Sequence, residues 1–139
     1  MKRLIIALTL VALFVAVSFA EVQDFGAYTV DVPEGWKAMQ EENTVGIIKD
    51  DNSAAVSITY GATEGASLKE IAENFLKELN GRNLHRIGGN YVFEMTNSSG
   101  VDSKCFVSVE NDKYGLIVAT GAENAPKEVD AIIDSIRDK

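Results

Sequence analysis

The stretch Tyr91–Gly121, YVFEMTNSSGVDSKCFVSVENDKYGLIVATG, decides the fold. It holds three runs rich in β-branched and aromatic residues, separated by Asn97-Ser98-Ser99-Gly100 and by Asn111-Asp112-Lys113. Runs of this kind, bounded by turn formers, read as consecutive strands joined by tight polar connections. An antiparallel three-strand meander is therefore expected. In its last run Tyr114, Leu116 and Val118 share one face and Ile117 and Ala119 the other, with no charge between Tyr114 and Gly121. A strand that is apolar on both faces is covered on both faces, so the sheet needs a helix on each side. Gly115, Ala119 and Gly121 fall together and allow one of those helices a close approach.

Two segments have the period of such helices. Upstream, Leu68, Ile71, Ala72, Phe75, Leu76 and Leu79 recur at helical spacing and form one wide apolar stripe. Ser67 and Glu70 stand where a capping box pairs two amides left open at a helix start, and Gly81 is placed for a left-handed C-terminal stop. Downstream, Asn124 or Ala125 opens a second helix with Pro126 in its first turn, where a missing N–H costs nothing. Val129, Ile132, Ile133 and Ile136 form its stripe.

The strands that precede the first helix are shorter. Phe25–Val32 alternates as a half-buried strand does, and Pro33-Glu34-Gly35 then turns the chain into Trp36. Thr44–Lys49 and Ala54–Tyr60 form a hairpin across Asp50-Asp51-Asn52-Ser53. The expectation is an α+β domain over residues 21–139, ordered βββ-α-βββ-α: about six antiparallel strands in one sheet with a helix on each face, an α/β/α sandwich.

Residues 1–20 read as an address. Lys2 and Arg3 precede an apolar run broken only by Thr9, and Ser18-Phe19-Ala20 sets small residues at −3 and −1 of a cleavage site. A membrane anchor is the competing reading, but Leu4 to Phe19 falls short of the ~20 residues a spanning helix needs. Cleavage after Ala20 and export to the periplasm or medium are expected. No cysteine follows the apolar run before Cys105, so no lipoprotein anchor is expected.

The whole chain carries a net charge of −8, and loss of Lys2 and Arg3 makes the remainder more acidic still. Such a surface repels polyanions and anionic leaflets, which excludes nucleic acid and electrostatic membrane docking. A cation or a basic protein partner fits the charge better, and the partner expected is a protein of the envelope. Cys105 is the only cysteine, so no internal disulfide forms. It shares a strand face with Val101, Val107 and Val109 and is expected to be a buried, inert thiol.

Four residues stand out as contacts for a partner or ligand. Trp36, the only tryptophan, is either a core-rim anchor or a stacking surface. Arg82, His85 and Arg86 form the one local concentration of positive charge after residue 20, either an anion site or a polar loop or edge strand. The carboxylates Glu41, Glu42, Asp50 and Asp51 lack the ligand spacing and glycine of a calcium loop. There is no G-x-S-x-G elbow, glycine-rich phosphate loop or H-E-x-x-H helix either. No catalytic, cofactor-binding or metal-ligating residue is expected.

The segment YTVDVPEGWK, Tyr28–Lys37, with its Val32-Pro33-Glu34-Gly35-Trp36 turn, the element order and a terminal IIDSIR helix, resembles the PsbP-like superfamily. That group includes extrinsic proteins of photosystem II and small bacterial periplasmic relatives of the DcrB type. The resemblance covers residues 25–138. It implies an antiparallel sheet between helices and a non-enzymatic accessory or assembly role in a membrane-associated process. No functional residue is carried over by it, and the chain departs from the lipoprotein relatives in lacking their cysteine. The function expected is that of an exported accessory protein acting through protein–protein contacts. The alternative is an envelope hydrolase, or a small-ligand or cation-binding protein whose site is assembled from carboxylates.

Overall fold

The computed structural model describes residues 21–138. The expected signal segment, residues 1–20, lies outside the described residues. Among the described residues ten strands and two helices occur in the order β1 (Glu21–Asp24), β2 (Tyr28–Val32), β3 (Trp36–Glu41), β4 (Thr44–Lys49), β5 (Ala55–Ala62), α1 (Leu68–Glu78), β6 (Arg82–Ile87), β7 (Asn90–Thr96), β8 (Asp102–Glu110), β9 (Lys113–Thr120), a 3-10 turn (Ala122–Asn124), α2 (Pro126–Asp134) and β10 (Arg137–Asp138). The α+β class holds. The strands do not form one sheet of about six: seven make a sheet ordered β3-β4-β5-β9-β8-β7-β6, and three make a second ordered β1-β2-β10. Every strand pairing is antiparallel.

The meander β7-β8-β9 forms as its alternation requires. Asn111 and Asp112 both take positive φ, 53° and 63°, which matches the primed turn that joins a two-residue hairpin. Alternation along β9 splits the core in two. Leu116 and Val118 join Phe93, Cys105, Val107 and the apolar stripe of α1. Ile117 and Ala119 join Val45, Ile47, Val56 and Ile58, together with Val30 of β2 and Val129 and Ile132 of α2. Successive side chains on a strand point to opposite faces, so α1 packs on one face of the large sheet, and α2 with the small sheet packs on the other. The covers are also staggered. α1 lies over β7 and β8, whereas α2 lies against β2 and β5.

α1 starts at the expected cap: Ser67 Oγ accepts from Glu70 N–H at 3.1 Å, and Glu70 Oε1 accepts from Ser67 N–H at 2.9 Å. Its end differs from expectation. Asn80, with φ 55°, holds the left-handed position, and Gly81 N–H donates to Leu76 O at 2.7 Å. Gly81 is needed for space instead, because a Cβ there would lie 2.5 Å from Phe93 Cδ1. α2 has Pro126 in its first turn as expected but stops at Asp134, and Arg137–Asp138 pairs with β2. Ser135 fixes this exit, donating through Oγ to Ile132 O and accepting from Asp31 N–H, both at 2.8 Å.

Candidate functional site

The small sheet does not lie flush on the large one along its whole length. Between them opens a cleft of about 200 Å³. Its apolar wall comes from Ala27, Ile58, Ile117 and Ile136, and Tyr28 and Tyr60 bring two rings to it. The β8–β9 hairpin supplies Glu110 and Lys113, and β10 supplies Asp138. Register explains the hollow. Tyr60 on β5 stands opposite Gly115 on β9, and Gly115 stands opposite Ser108 on β8. A position without a side chain, flanked by a large ring, leaves a depression in the sheet surface. A Cβ at Gly115 would meet only Ser108 Oγ, at 3.4 Å.

Tyr28 is the buried polar group of this cleft, with 4% of its surface exposed. Its ring packs edge-on against Tyr60 at 5.5 Å between centroids. Its hydroxyl donates to Ile58 O at 3.5 Å, well beyond the usual O–H···O distance of roughly 2.7–2.8 Å. Burial, and secondarily the Tyr60 hydroxyl, push the Tyr28 phenol up to about 12.

The four residues singled out from the sequence lie elsewhere. Trp36 heads β3, is 7% exposed and belongs to the core beneath α2. Among the described residues its Nε1–H has no hydrogen-bond partner. Arg82, His85 and Arg86 lie on β6, which forms an edge of the large sheet. They are not one patch. A bulge between Arg82 and His85 places Arg82 opposite Glu94 and His85 opposite Val92, while Arg86 stands opposite Tyr91 on the other face. Arg82 donates to Thr96 Oγ1 at 2.9 Å and approaches Asp102 Oδ1 at 3.4 Å and Glu94 Oε1 at 3.8 Å. The Thr96 hydroxyl, donating to Asp102 at 2.7 Å, and then the Arg82 charge hold the Asp102 carboxyl below its ordinary value. His85 Nδ1 lies 2.7 Å from Asn83 O, and the Arg86 guanidinium sits 5.2 Å from the Tyr91 ring centre.

Cys105 is fully buried in the core beneath α1, and burial pushes its thiol up to about 11. Val101, expected on the same strand face, instead lies 41% exposed just before β8. It is held there by the turn in which Asn97 Oδ1 accepts from the N–H groups of Ser99 and Val101. Asp51 Oδ1 is engaged by the N–H and hydroxyl of Ser53, at 2.9 and 2.6 Å, which hold its carboxyl below the usual value. Among the described residues no three His, Cys, Asp or Glu side chains are grouped as metal ligands. No helix among the described residues is long and apolar enough to cross a membrane.

A second surface follows from the staggered covers. On the α1 side of the large sheet, β3, β4 and β5 present Lys37, Met39 and Glu41, then Thr44, Gly46 and Ile48, then Ala55, Ser57 and Thr59. None of the nine belongs to either core cluster. Charge is confined to the two ends of edge strand β3. The hydroxyls of Thr44 and Thr59 satisfy each other across the strands at 2.9 Å. The cleft and this surface escaped the sequence reading because both are products of register between distant segments.

No family model and no curated protein matches this chain. Solved structures share its fold, and two of them illustrate the likeness. One, a crystal structure from Bacteroides thetaiotaomicron VPI-5482, matches over 88% of this chain with a TM-score of 0.59 and 14% identity. The match spans 49% of that longer chain, so the present chain covers about half its length. The other is the solution structure of cyanobacterial PsbP (CyanoP) from Synechocystis sp. PCC 6803. It matches over 88% of this chain and 95% of its own, with a TM-score of 0.57 and 14% identity. The fold is PsbP-like.

Proposed function

We propose that this protein is an exported, non-enzymatic accessory protein of the cell envelope that acts through protein–protein contacts. The observation that carries this reading is the sheet surface of β3, β4 and β5 beside α1. On a chain with net charge −8, seven adjoining residues of β4, β5 and the centre of β3 carry no charge: Met39, Thr44, Gly46, Ile48, Ala55, Ser57 and Thr59. Desolvating such a surface is inexpensive when its hydroxyls are already paired, as Thr44 and Thr59 are. The PsbP-like fold supports the reading, since its cyanobacterial representative carries the name of a PsbP protein. The offset of the two covers acquires a purpose in this view: the bare half-face is the one offered to a partner.

Photo-crosslinking residues placed at Ser57 or Thr59 test the surface, with Lys69 and Glu73 on the exposed side of α1 as controls. In an envelope fraction the sheet positions should give one defined crosslinked protein that the helix positions do not. Ser57→Arg should abolish that product without changing the melting midpoint. The same products from all four positions, or none from the sheet, would remove the docking surface. Export is tested separately: the intact mass of the processed protein should begin at Glu21.

A further inference from the structure

We propose that the cleft between the two sheets is a binding site for a small amphipathic amine, a ligand with one ammonium group and one compact apolar or aromatic group. The inference is independent of the docking surface, which lies on the opposite face of β4 and β5. Volume bounds the ligand first. A cavity of about 200 Å³ lies below the roughly 300–1,000 Å³ of drug-sized sites, so the occupant is a small molecule. Its lining sets the apolar part. Ile58, Ile117 and the rings of Tyr28 and Tyr60 offer a dry wall, and Gly115 opens the space beside Tyr60.

The polar part follows from charge and from an unfinished hydrogen bond. Glu110 and Asp138 bring two carboxylates to the cleft against the single ammonium of Lys113, which stands opposite Glu110 in the β8–β9 register. An anionic ligand meets an excess of negative charge there, and a cation meets attraction. Tyr28 is 4% exposed, its hydroxyl makes one long bond of 3.5 Å, and no described donor reaches its oxygen. A buried hydroxyl with unused lone pairs is satisfied by a hydrogen-bond donor. An ammonium supplies that donor, balances the carboxylates and lies favourably over a tyrosine ring.

The experiment uses the purified protein, labelled with ¹⁵N, and two probes of similar shape and opposite charge: 2-phenylethylammonium and phenylacetate. The amine should give saturable shifts of backbone amides around Tyr60 and Gly115. Phenylacetate should bind at least ~10-fold more weakly, a difference of about 1.4 kcal/mol. Gly115→Val, which extends a side chain into the hollow, should abolish the amine shifts. Should that variant fail to fold, the exposed pair Glu110→Gln with Asp138→Asn serves instead, and should erase the preference for amine over carboxylate. Equal binding of the two probes, shifts elsewhere on the protein, or no saturable shift with the amine would each overturn the assignment. So would a preference for amine that survives neutralisation of both carboxylates.

Discussion

Truncating Ile132 tests whether the two halves of the core are one cooperative unit. Ile132 lies on α2, is 0% exposed, and packs in the cluster that holds Val30, Ile47 and Val56. Ile132→Ala removes three carbon groups at ~0.8 kcal/mol each and leaves a cavity, for a total cost of ~2–5 kcal/mol. For a domain of this size each kcal/mol moves the melting midpoint by about 3–6 °C, so a fall of roughly 10–20 °C is expected. Neighbouring Ile133 is only half-buried, and Ile133→Ala should cost about half as much, ~1–2 kcal/mol. Two reporters sit in different clusters. Trp36 fluorescence reads the cluster beneath α2, and Cys105 thiol reactivity reads the cluster beneath α1. Strand β9 gives side chains to both, so unfolding one face should strip cover from the other. In denaturant titrations of Ile132→Ala the two midpoints should therefore fall together. A Trp36 transition that moves while the Cys105 transition stays put would refute the shared-sheet argument. No movement of either would refute the packing of α2 itself.

Three further outcomes follow from individual residues. Cys105, with its thiol pushed up to about 11, should react slowly with a thiol reagent at pH 8 in native buffer and fully in denaturant; fast native labelling would show that α1 does not cover it. Gly121 and Gly35 both take positive φ, 68° and 84°, but a Cβ at Gly121 would collide with the Ser53 carbonyl whereas one at Gly35 meets nothing within 4 Å. Gly35→Ala should thus cost only the backbone strain of roughly 1 kcal/mol and Gly121→Ala clearly more, ~2–3 kcal/mol, so equal losses in urea titrations would contradict the placement of Ser53. Tyr28, pushed up to about 12 from 10.0, favours the protonated folded state. The stability it lends is fully present below pH 10 and lost as pH rises towards 12, so Tyr28→Phe should flatten that alkaline loss, and the wild type should show one tyrosine titrating last in the ultraviolet.

Much of this architecture is written in local patterns. The capping box of Ser67 and Glu70, the stripe of α1, Pro126 at the head of α2 and the hairpin at Asn111-Asp112 each depend on groups a few residues apart. The two-sided apolar strand Tyr114–Ala119 also foretold cover on both faces, because burial leaves its mark on composition. Strands β1, β3 and β6 were harder to see. Val22 and Met39 are exposed at 66% and 57%, and most of β6 is exposed as well. Edge strands bury little and so need no apolar alternation; their partners' backbones hold them in place. Arg82–Arg86 thereby becomes a strand of the alternative kind foreseen for it, with a bulge that sends its charges to opposite faces.

The remaining features belong to the tertiary structure. No local signal divides ten strands between two sheets, since Arg137–Asp138 becomes a strand only by meeting Tyr28 and Thr29 across more than a hundred residues of chain. No local signal sets Gly115 opposite Tyr60 either, and a slip of one residue would have sent the ring to the other face. The sequence by itself determined the class of fold, the helices and the buried thiol, because those follow from periodicity and from caps within a single turn. Only the tertiary structure decided the staggered covers, the bare half-face and the cleft, because each is a gap left by distant segments that pair in one register.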